Sequence, residues 1–225
     1  MSALHIDNEL NKLKYSLNQM WELVEKQLYK SFVSINEYDL SLARGVFTRE
    51  KLVDAMELKI DSECENFIAL NNPVAIDLRL ALSYIKINNN LERIGDFAEG
   101  IAGFVSNSMS EKIPEELESS LRLREMIASV MDMFSLAKEA LDMEDSQIAE
   151  KVFGIDYIVD EINSNSIKVL AKAIKSNPDK AEEYLRLLTV IRKIERIGDR
   201  VSNIAEEIVF YLDAKVLKHS TSQKK

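Results

Sequence analysis

Two carboxylates stand four residues apart in the pentapeptide Glu-Arg-Ile-Gly-Asp, which the chain carries twice, at residues 92–96 and 195–199. On a helix, side chains four residues apart lie one above the other, with Cβ atoms about 5 to 6 Å apart. Like charges at that spacing repel each other, and a bound cation or a neighbouring basic group would offset the repulsion. Carboxylate oxygens suit hard cations such as Mg²⁺ or Mn²⁺, and they also bridge oxidised iron.

The same spacing recurs on the segment that precedes each pentapeptide. Glu50 and Asp54 stand four residues apart in one half of the chain, and Asp156 and Asp160 do so in the other half. If the two segments of each half are helices that face each other, four carboxylates converge without any histidine. The pattern therefore predicts an oxygen-only metal site in each half.

Other interpretations of these acids stay open on the residues alone. Arg93 and Arg196 lie inside the pentapeptides, so solvated ion pairs could satisfy the same charges. A carboxylate-bridged metalloprotein with a metal-storage or hydrolytic role is a further alternative. Inside a helix, Gly95 and Gly198 each lower the stability of the helix by about 1 kcal/mol relative to alanine. A glycine repeated at that cost indicates the close approach of a metal, a water or another helix.

Composition and turn signals predict that the acids lie on long helices. The 225 residues include only 6 glycines and 3 prolines, and 46% are hydrophobic, which favours an all-α fold. Apolar residues recur at helical spacing between turn signals, and Gln27 is the only polar member of the first apolar face. The turn signals lie at residues 35–39, 70–73, 106–114, 143–146 and 176–179. Helices joined by short turns run antiparallel, so we expect six helices in two tandem antiparallel three-helix bundles.

The two bundles are predicted to be copies of one unit. Ala43 recurs 106 residues later as Ala149, whereas the two pentapeptides are 103 residues apart. Because the offset changes only across a turn, the helical phase is kept within each element, as expected of an internal duplication. The predicted domains are a first repeat at 1–109, a second repeat at 110–214 and a flexible basic tail at 215–225.

Charge and residue usage exclude several classes of protein. The net charge of −9 argues against a nucleic-acid-binding protein. Cys64 is the only cysteine, which rules out an internal disulfide and fits a reducing compartment. The two histidines, His5 and His219, leave no Cys/His zinc site and no hydrolase triad. No apolar run suits a signal peptide or a bilayer span, so we expect a cytoplasmic protein. The lack of a nucleophile or base arrangement agrees with a protein that is not an enzyme.

The residues that carry these features resemble the PhoU family of phosphate-uptake regulators. The doubled pentapeptide and the phrase NPVAIDLR at residues 72–79 are specific signals, and the resemblance covers nearly the whole chain. It implies acidic motifs that hold multinuclear iron or zinc clusters, while Mg²⁺ or Mn²⁺ would also suit the oxygen donors. The implied metal ligands are Glu50, Asp54, Glu92 and Asp96 in one site, and Asp156, Asp160, Glu195 and Asp199 in the other. The residues expected to contact these ligands rather than the ions are Asn90, Arg93, Arg196 and Asn203.

The chain departs from the family pattern at two positions of the first repeat. Asn90 stands where the family often has Asp, two residues before the glutamate of the motif. Gly100 stands where the second repeat has Asn203, as many relatives do. The resemblance therefore implies fewer acids in the first site than some relatives have.

The resemblance implies regulation rather than catalysis. It describes a negative regulator of phosphate uptake and of the phosphate-starvation response. Such a protein would couple the ATPase subunit of the phosphate ABC transporter to a membrane sensor histidine kinase. We therefore expect a metal-binding adaptor that reaches the membrane through these partners and, because its helices are long and amphipathic, forms a homodimer.

Overall fold

The computed structural model describes residues 3–217, and the side chains from residue 6 onward. This part of the chain forms seven α-helices and one short 3-10 turn at Pro178–Lys180, so the all-α prediction is confirmed. The helices are α1 Ala3–Glu37, α2 Leu40–Asn71, α3 Ala75–Asn107, α4 Glu115–Leu121, α5 Leu123–Met143, α6 Ser146–Ser176 and α7 Ala181–Asp213. In the predicted tail, residues 215–217 have no regular structure, and residues 218–225 lie outside the described residues.

Two aspartates at equivalent positions of the repeats precede α2 and α6, the helices that carry Glu50 and Asp54 and their counterparts Asp156 and Asp160. Asp39 precedes α2, and its Oδ1 accepts hydrogen bonds from the backbone N–H groups of Ser41 and Leu42, at 2.8 and 2.9 Å. Asp145 precedes α6 and accepts from the N–H of Gln147 at 2.8 Å. These carboxylates satisfy N–H groups that have no partner inside the helix and complement the positive end of its dipole.

The structure divides the fourth of the six expected helices in two. Arg122 separates α4 from α5 because its backbone is left-handed, with φ 53° and ψ 34°. Its guanidinium forms ion pairs with Glu125 at 2.7 Å and with Glu161 of α6 at 3.2 Å. The count of six helices is therefore corrected to seven α-helices in the described residues, while the five predicted turns all lie where the sequence places them.

Each repeat is a bundle of long helices, and the two bundles meet chiefly through one helix of each. In the first repeat, α1, α2 and α3 pack against one another; in the second, α5, α6 and α7 do so, and α4 packs on α5 and α6. The α3 and α7 helices, which carry the pentapeptides, also pack against each other. Between residues 3 and 217, no helix has both the length and the apolar character needed to cross a membrane. The exact domain boundaries stay a prediction.

Candidate functional site

In the first repeat, the two acid pairs face each other across α2 and α3. Glu50 and Asp54 lie on α2, and Glu92 and Asp96 lie on α3. Burial, and after it the charges of Glu99, Asp54 and Asp96, raise the pKa of Glu50 to about 7. Burial likewise raises the pKa of Glu92, and the charges of Asp96 and Asp54 add to that effect. The four predicted carboxylates of this repeat therefore lie near enough for their charges to act on one another, and we call them the first acidic cluster.

A buried amide from α1 supports this cluster. Gln27 is fully buried, and its Nε2 donates a hydrogen bond to Glu50 Oε2. A Cβ placed on Gly95 would lie 3.1 Å from Gln27 Oε1, 3.3 Å from Val53 Cγ1 and 3.4 Å from Glu50 Oε2. The glycine of the first pentapeptide thus leaves room for side chains from two neighbouring helices, α1 and α2.

The second repeat brings its four predicted acids together in the same way. Burial, and after it the charges of Asp160 and Asp199, raise the pKa of Asp156 to about 6. Burial also raises the pKa of Glu195, to which the charges of Asp199 and Asp160 contribute. A Cβ placed on Gly198 would lie 3.2 Å from Asp156 Oδ1. These four acids form the second acidic cluster, on α6 and α7.

The arginine of each pentapeptide interacts with the acids beside it, as expected. Arg93 donates a hydrogen bond to Asp96 Oδ2 at 3.1 Å and lies 3.7 Å from Glu92 Oε2. The charge of Arg196 lowers the pKa of Glu195 against the larger effect of burial. Because these arginines are exposed, their ion pairs are screened by water and offset only part of the repulsion between the acids.

The two asparagines expected beside the ligands line a groove between the repeats. Asn90 and Asn203 face this groove together with Lys86 and Arg200. Asn90 Nδ2 donates a hydrogen bond to the backbone carbonyl of Lys86 at 2.9 Å. The structure therefore shows these two side chains at the α3–α7 contact and gives no hydrogen bond from Asn90 to the predicted ligands.

Several residues of the clusters were missed by the search for acids four residues apart. Glu99 raises the pKa of Glu50, and Glu57 raises that of Glu92, through the repulsion of like charges. Ser202 of α7 lies beside Asp156 and lowers its pKa. The signal available for Gln27 was its polar side chain on an apolar helix face. Glu57 and Glu99 lie seven residues after Glu50 and Glu92, so they continue the same helix faces at a spacing that a search limited to four residues does not reach.

The donor chemistry of the clusters fits a hard cation. Every candidate donor is an oxygen, and Glu50 Oε1 and Asp156 Oδ1 are buried without a hydrogen-bond partner. Within residues 3–217, however, no group of three or more His, Cys, Asp or Glu side chains has an arrangement that could hold a metal ion. An ion would therefore have to draw the carboxylates closer together, and metal binding by the eight acids stays a prediction.

Fold and clusters together define a class of protein: a duplicated helical bundle with one partly buried acidic cluster in each copy. The family model described as the PhoU domain matches residues 17–105 and 123–208, one segment in each repeat. The chain belongs to the PhoU family. PhoU proteins are regulatory accessory proteins and not enzymes, so the expectation of a non-enzymatic protein is confirmed.

Named relatives and a solved structure match almost the whole chain. The chain is 31% identical to the phosphate-specific transport system accessory protein PhoU of Escherichia coli strain K12 over 215 residues. The aligned region covers 94% of this chain and 86% of that protein. The chain is 28% identical to PhoU homolog 1 of Thermotoga maritima, over 96% of this chain and 92% of that protein. The crystal structure of PhoU from Pseudomonas aeruginosa matches with a TM-score of 0.87 and 29% identity, covering 93% of this chain and 99% of that one.

Proposed function

We propose that this chain is an accessory and regulatory protein of phosphate-specific transport that lowers phosphate uptake and represses the phosphate-starvation response. The match of fold and sequence to PhoU from Pseudomonas aeruginosa over 93% of the chain carries the proposal. In this proposal the chain is an adaptor between the ATPase subunit of the phosphate ABC transporter and a sensor histidine kinase. It acts at the inner face of the membrane through these partners.

The acidic clusters give the adaptor a place to hold metal ions. In the first cluster, Glu50 and Asp54 would hold an ion from α2 while Glu92 and Asp96 hold it from α3. A bound cation would offset the repulsion that, together with burial, raises the pKa values of Glu50 and Glu92, and it would tie the two helices together. The second cluster would do the same for α6 and α7. Oxygen donors favour Mg²⁺, Mn²⁺ or oxidised iron over zinc, which prefers nitrogen and sulfur ligands.

Deletion of the coding sequence tests the regulatory function. In phosphate-replete cells, the deletion should derepress phosphate-starvation genes, measured with a reporter fused to one of their promoters. Expression of the wild-type chain from a plasmid should restore repression. A strain that lacks the protein and still shows wild-type reporter activity would refute the proposed regulation.

Co-purification tests the partners. A tagged chain should capture the transporter ATPase subunit and the sensor kinase from membranes solubilised in mild detergent. A matched preparation that carries the tag alone provides the background. Capture of neither partner, in cells where the reporter responds normally, would refute the adaptor mechanism while leaving the regulatory role standing.

Elemental analysis tests the metal. Wild-type protein purified without chelators should retain metal, and the paired variant Glu92→Ala/Glu195→Ala should lose it, because each substitution removes a carboxylate from one cluster. Gly154→Ala is a suitable control, since a Cβ at that position meets nothing within 4 Å. Equal metal content in wild type and the paired variant would show that the acids serve as ion pairs instead.

A further inference from the structure

The contact between α3 and α7 contains two grooves that the duplication makes equivalent. The helices run antiparallel, and a side chain near the start of α3 donates a hydrogen bond to a carbonyl near the end of α7, at 3.4 Å. Because they are copies of one helix 103 residues apart, each contact between them has a counterpart in which the two helices exchange roles. Asn90 and Asn203 line one groove, here called the inter-repeat groove. Its counterpart groove lies at Lys193 and Gly100.

In the counterpart groove, a lysine of the chain itself fills the space. Lys193 of α7 lies across Gly100 of α3, so that a Cβ placed on this glycine would be 2.8 Å from Lys193 Cε and 3.1 Å from its Cδ. The ammonium group of Lys193 lies 5.9 Å from the centre of the Phe97 ring, within the range of a cation–π contact. A cationic side chain thus closes this groove and links the two repeats.

The inter-repeat groove has short side chains at the same positions and stays open. Asn90 stands where the second repeat has Lys193, and Asn203 stands where the first has Gly100. Asn90 Nδ2 donates a hydrogen bond to the backbone carbonyl of Lys86 on its own helix, so the side chain does not cross to α7. The open groove has a volume of about 410 Å³. That is within the range of ligand pockets, about 300 to 1,000 Å³.

Oxygen acceptors from three helices line the inter-repeat groove. Asn90 of α3 is only 8% exposed, and its Oδ1 has no hydrogen-bond donor among the described residues. Asp61 of α2 and Glu206 of α7 line the same groove, whereas their counterparts are Ile167 and Gly103. A nearly buried carbonyl without a donor is costly, and a ligand with several N–H groups would satisfy it.

The charge of the groove favours a cation as that ligand. Three carboxylates and two basic groups line it. Of the basic groups, Lys86 already forms an ion pair with Glu207 at 2.9 Å, and the charge of Arg200 lowers the pKa of Asp199, which lies outside the groove. Within residues 3–217, no set of acids is arranged to hold a metal ion. A guanidinium group suits acceptors spread over three helices better, because its five N–H donors form a wide planar fork.

We propose that the inter-repeat groove receives an arginine side chain of a protein partner, which takes the place that Lys193 fills in the counterpart groove. The inference rests on the proposed adaptor function and names the chemistry of one of its contacts. Since α2 and α3 belong to the first repeat and α7 to the second, the arginine would contact both repeats at once. Binding of the partner would therefore depend on how the repeats pack together.

Titration with a small arginine derivative tests the chemistry of the groove. N-acetyl-arginine methylamide is added to the ¹⁵N-labelled full chain while the side-chain amide signals of Asn90 and Asn203 are followed by NMR. Both signals should shift with a dissociation constant on the order of 1 to 10 mM, because a single side chain binds in a groove open to water. N-acetyl-citrulline methylamide has nearly the same shape without the charge, and it should shift neither signal.

A variant that fills the groove tests its role in docking. Asn90→Lys together with Asn203→Gly carries the arrangement of the counterpart groove into the inter-repeat groove. This paired variant should no longer bind the arginine derivative, and it should capture the transporter ATPase subunit or the sensor kinase about tenfold less well than wild type. Glu150→Lys changes an exposed acid of α6 outside the groove and should behave as wild type in both assays.

A milder variant keeps the test open if the filled groove prevents folding. Glu206→Gln keeps the shape of a partly exposed side chain and removes one carboxylate charge. It should weaken binding of the arginine derivative several-fold and make that binding less sensitive to salt. The melting temperature of each variant shows whether it is folded.

The outcomes separate this inference from the proposed function. Equal shifts from both derivatives, or shifts from neither, would overturn the assignment of an arginine to the groove. A folded variant with a filled groove that captures both partners as well as wild type would overturn the docking role. Capture of neither partner by wild type would overturn the adaptor and the docking role together, while the arginine titration would still decide what the groove recognises. The reporter test of phosphate regulation does not depend on any of these results.

Discussion

The glycine of each pentapeptide lets a carboxylate of the facing helix lie against the backbone. A Cβ on Gly95 would approach Glu50 and Val53 of α2, and a Cβ on Gly198 would approach Asp156 and Val159 of α6 at 3.2 to 3.6 Å. The same pair of neighbours, one acid and one valine, thus occurs in both repeats. The groups that come close to each pentapeptide glycine are therefore side chains of the neighbouring helix, α2 or α6. They include the first acid of the pair on that helix, Glu50 or Asp156.

Alanine substitutions should have opposite effects on stability at these closely packed glycines and at Gly154, which has no close neighbours. Gly95→Ala would press on the fully buried Gln27 and Val53, which have no room to move, so we expect a loss of about 1 to 2 kcal/mol in the free energy of unfolding. Gly154→Ala should instead gain up to about 1 kcal/mol from helix propensity, since nothing lies within 4 Å of its Cβ. Urea denaturation measures both. A Gly95→Ala variant as stable as Gly154→Ala would contradict the packing argument.

The raised pKa of Glu50 predicts how the stability of the metal-free protein depends on pH. Burial raises this pKa from 4.5 to about 7, so between those values the folded state binds a proton that the unfolded state has lost. Stability should therefore fall as the pH rises from about 4.5 to about 7, and stay low above it.

Glu50→Gln, which is neutral at every pH, should lessen that fall. The melting temperature of metal-free protein at pH 5 and pH 8 measures it, with wild type and variant compared in the same buffers. Some fall should remain in the variant, because burial also raises the pKa of Asp156. An identical fall in wild type and Glu50→Gln would show that this carboxyl is charged at pH 5 in the folded protein.

The sequence predicted the acids of each site but not their surroundings. Spacing of four residues identifies side chains on one face of one helix, and the repeat identifies the partner helix. Glu99 continues the face of Glu92 and Asp96 by one more turn, so its place follows from spacing. Gln27 belongs to the first cluster because α1 packs against α2 and α3, which no local pattern encodes.

At the scale of helices, the two aspartate caps should each stabilise the chain. Asp39→Ala and Asp145→Ala remove the acceptors of the first N–H groups of α2 and α6, and each should cost about 1 kcal/mol. For a chain of this size that lowers the melting temperature by about 2 to 4 °C. Asp39→Asn retains a capping oxygen and should stay close to wild type. Melting temperatures of the alanine variants equal to that of Asp39→Asn would contradict a capping role.

Helix boundaries were predictable wherever turn residues mark them, and not elsewhere. Asn-Pro pairs mark the turns at residues 72–73 and 177–178, and the structure ends helices there. Arg122 has no such mark, since an arginine is ordinarily a good helix former. Its guanidinium pairs with Glu161 of α6 only when the helices are packed, and no local signal marks the break between α4 and α5.

At the scale of the whole molecule, the two repeats share one hydrophobic core. Helices α3 and α7 pack together, and Lys86 of α3 forms an ion pair at 2.9 Å with the buried Glu207 of α7. Trp21 of α1 contacts Phe134 of α5, with ring centroids 5.0 Å apart, so the only tryptophan lies where the repeats meet. Buried residues of both repeats belong to one cluster of apolar contacts. A fluctuation that exposes one repeat would therefore also expose the face of the other.

Unfolding should consequently be a single transition, despite the duplication. In urea, Trp21 fluorescence and far-UV circular dichroism should give the same midpoint. Leu187→Ala, which removes a buried side chain of the second repeat, should cost about 2 to 5 kcal/mol and move both midpoints together. Leu185→Ala on the exposed face of the same helix is the matched control and should move neither. Repeats that fold independently would instead lose their circular dichroism in two steps, with the Trp21 midpoint unmoved in Leu187→Ala.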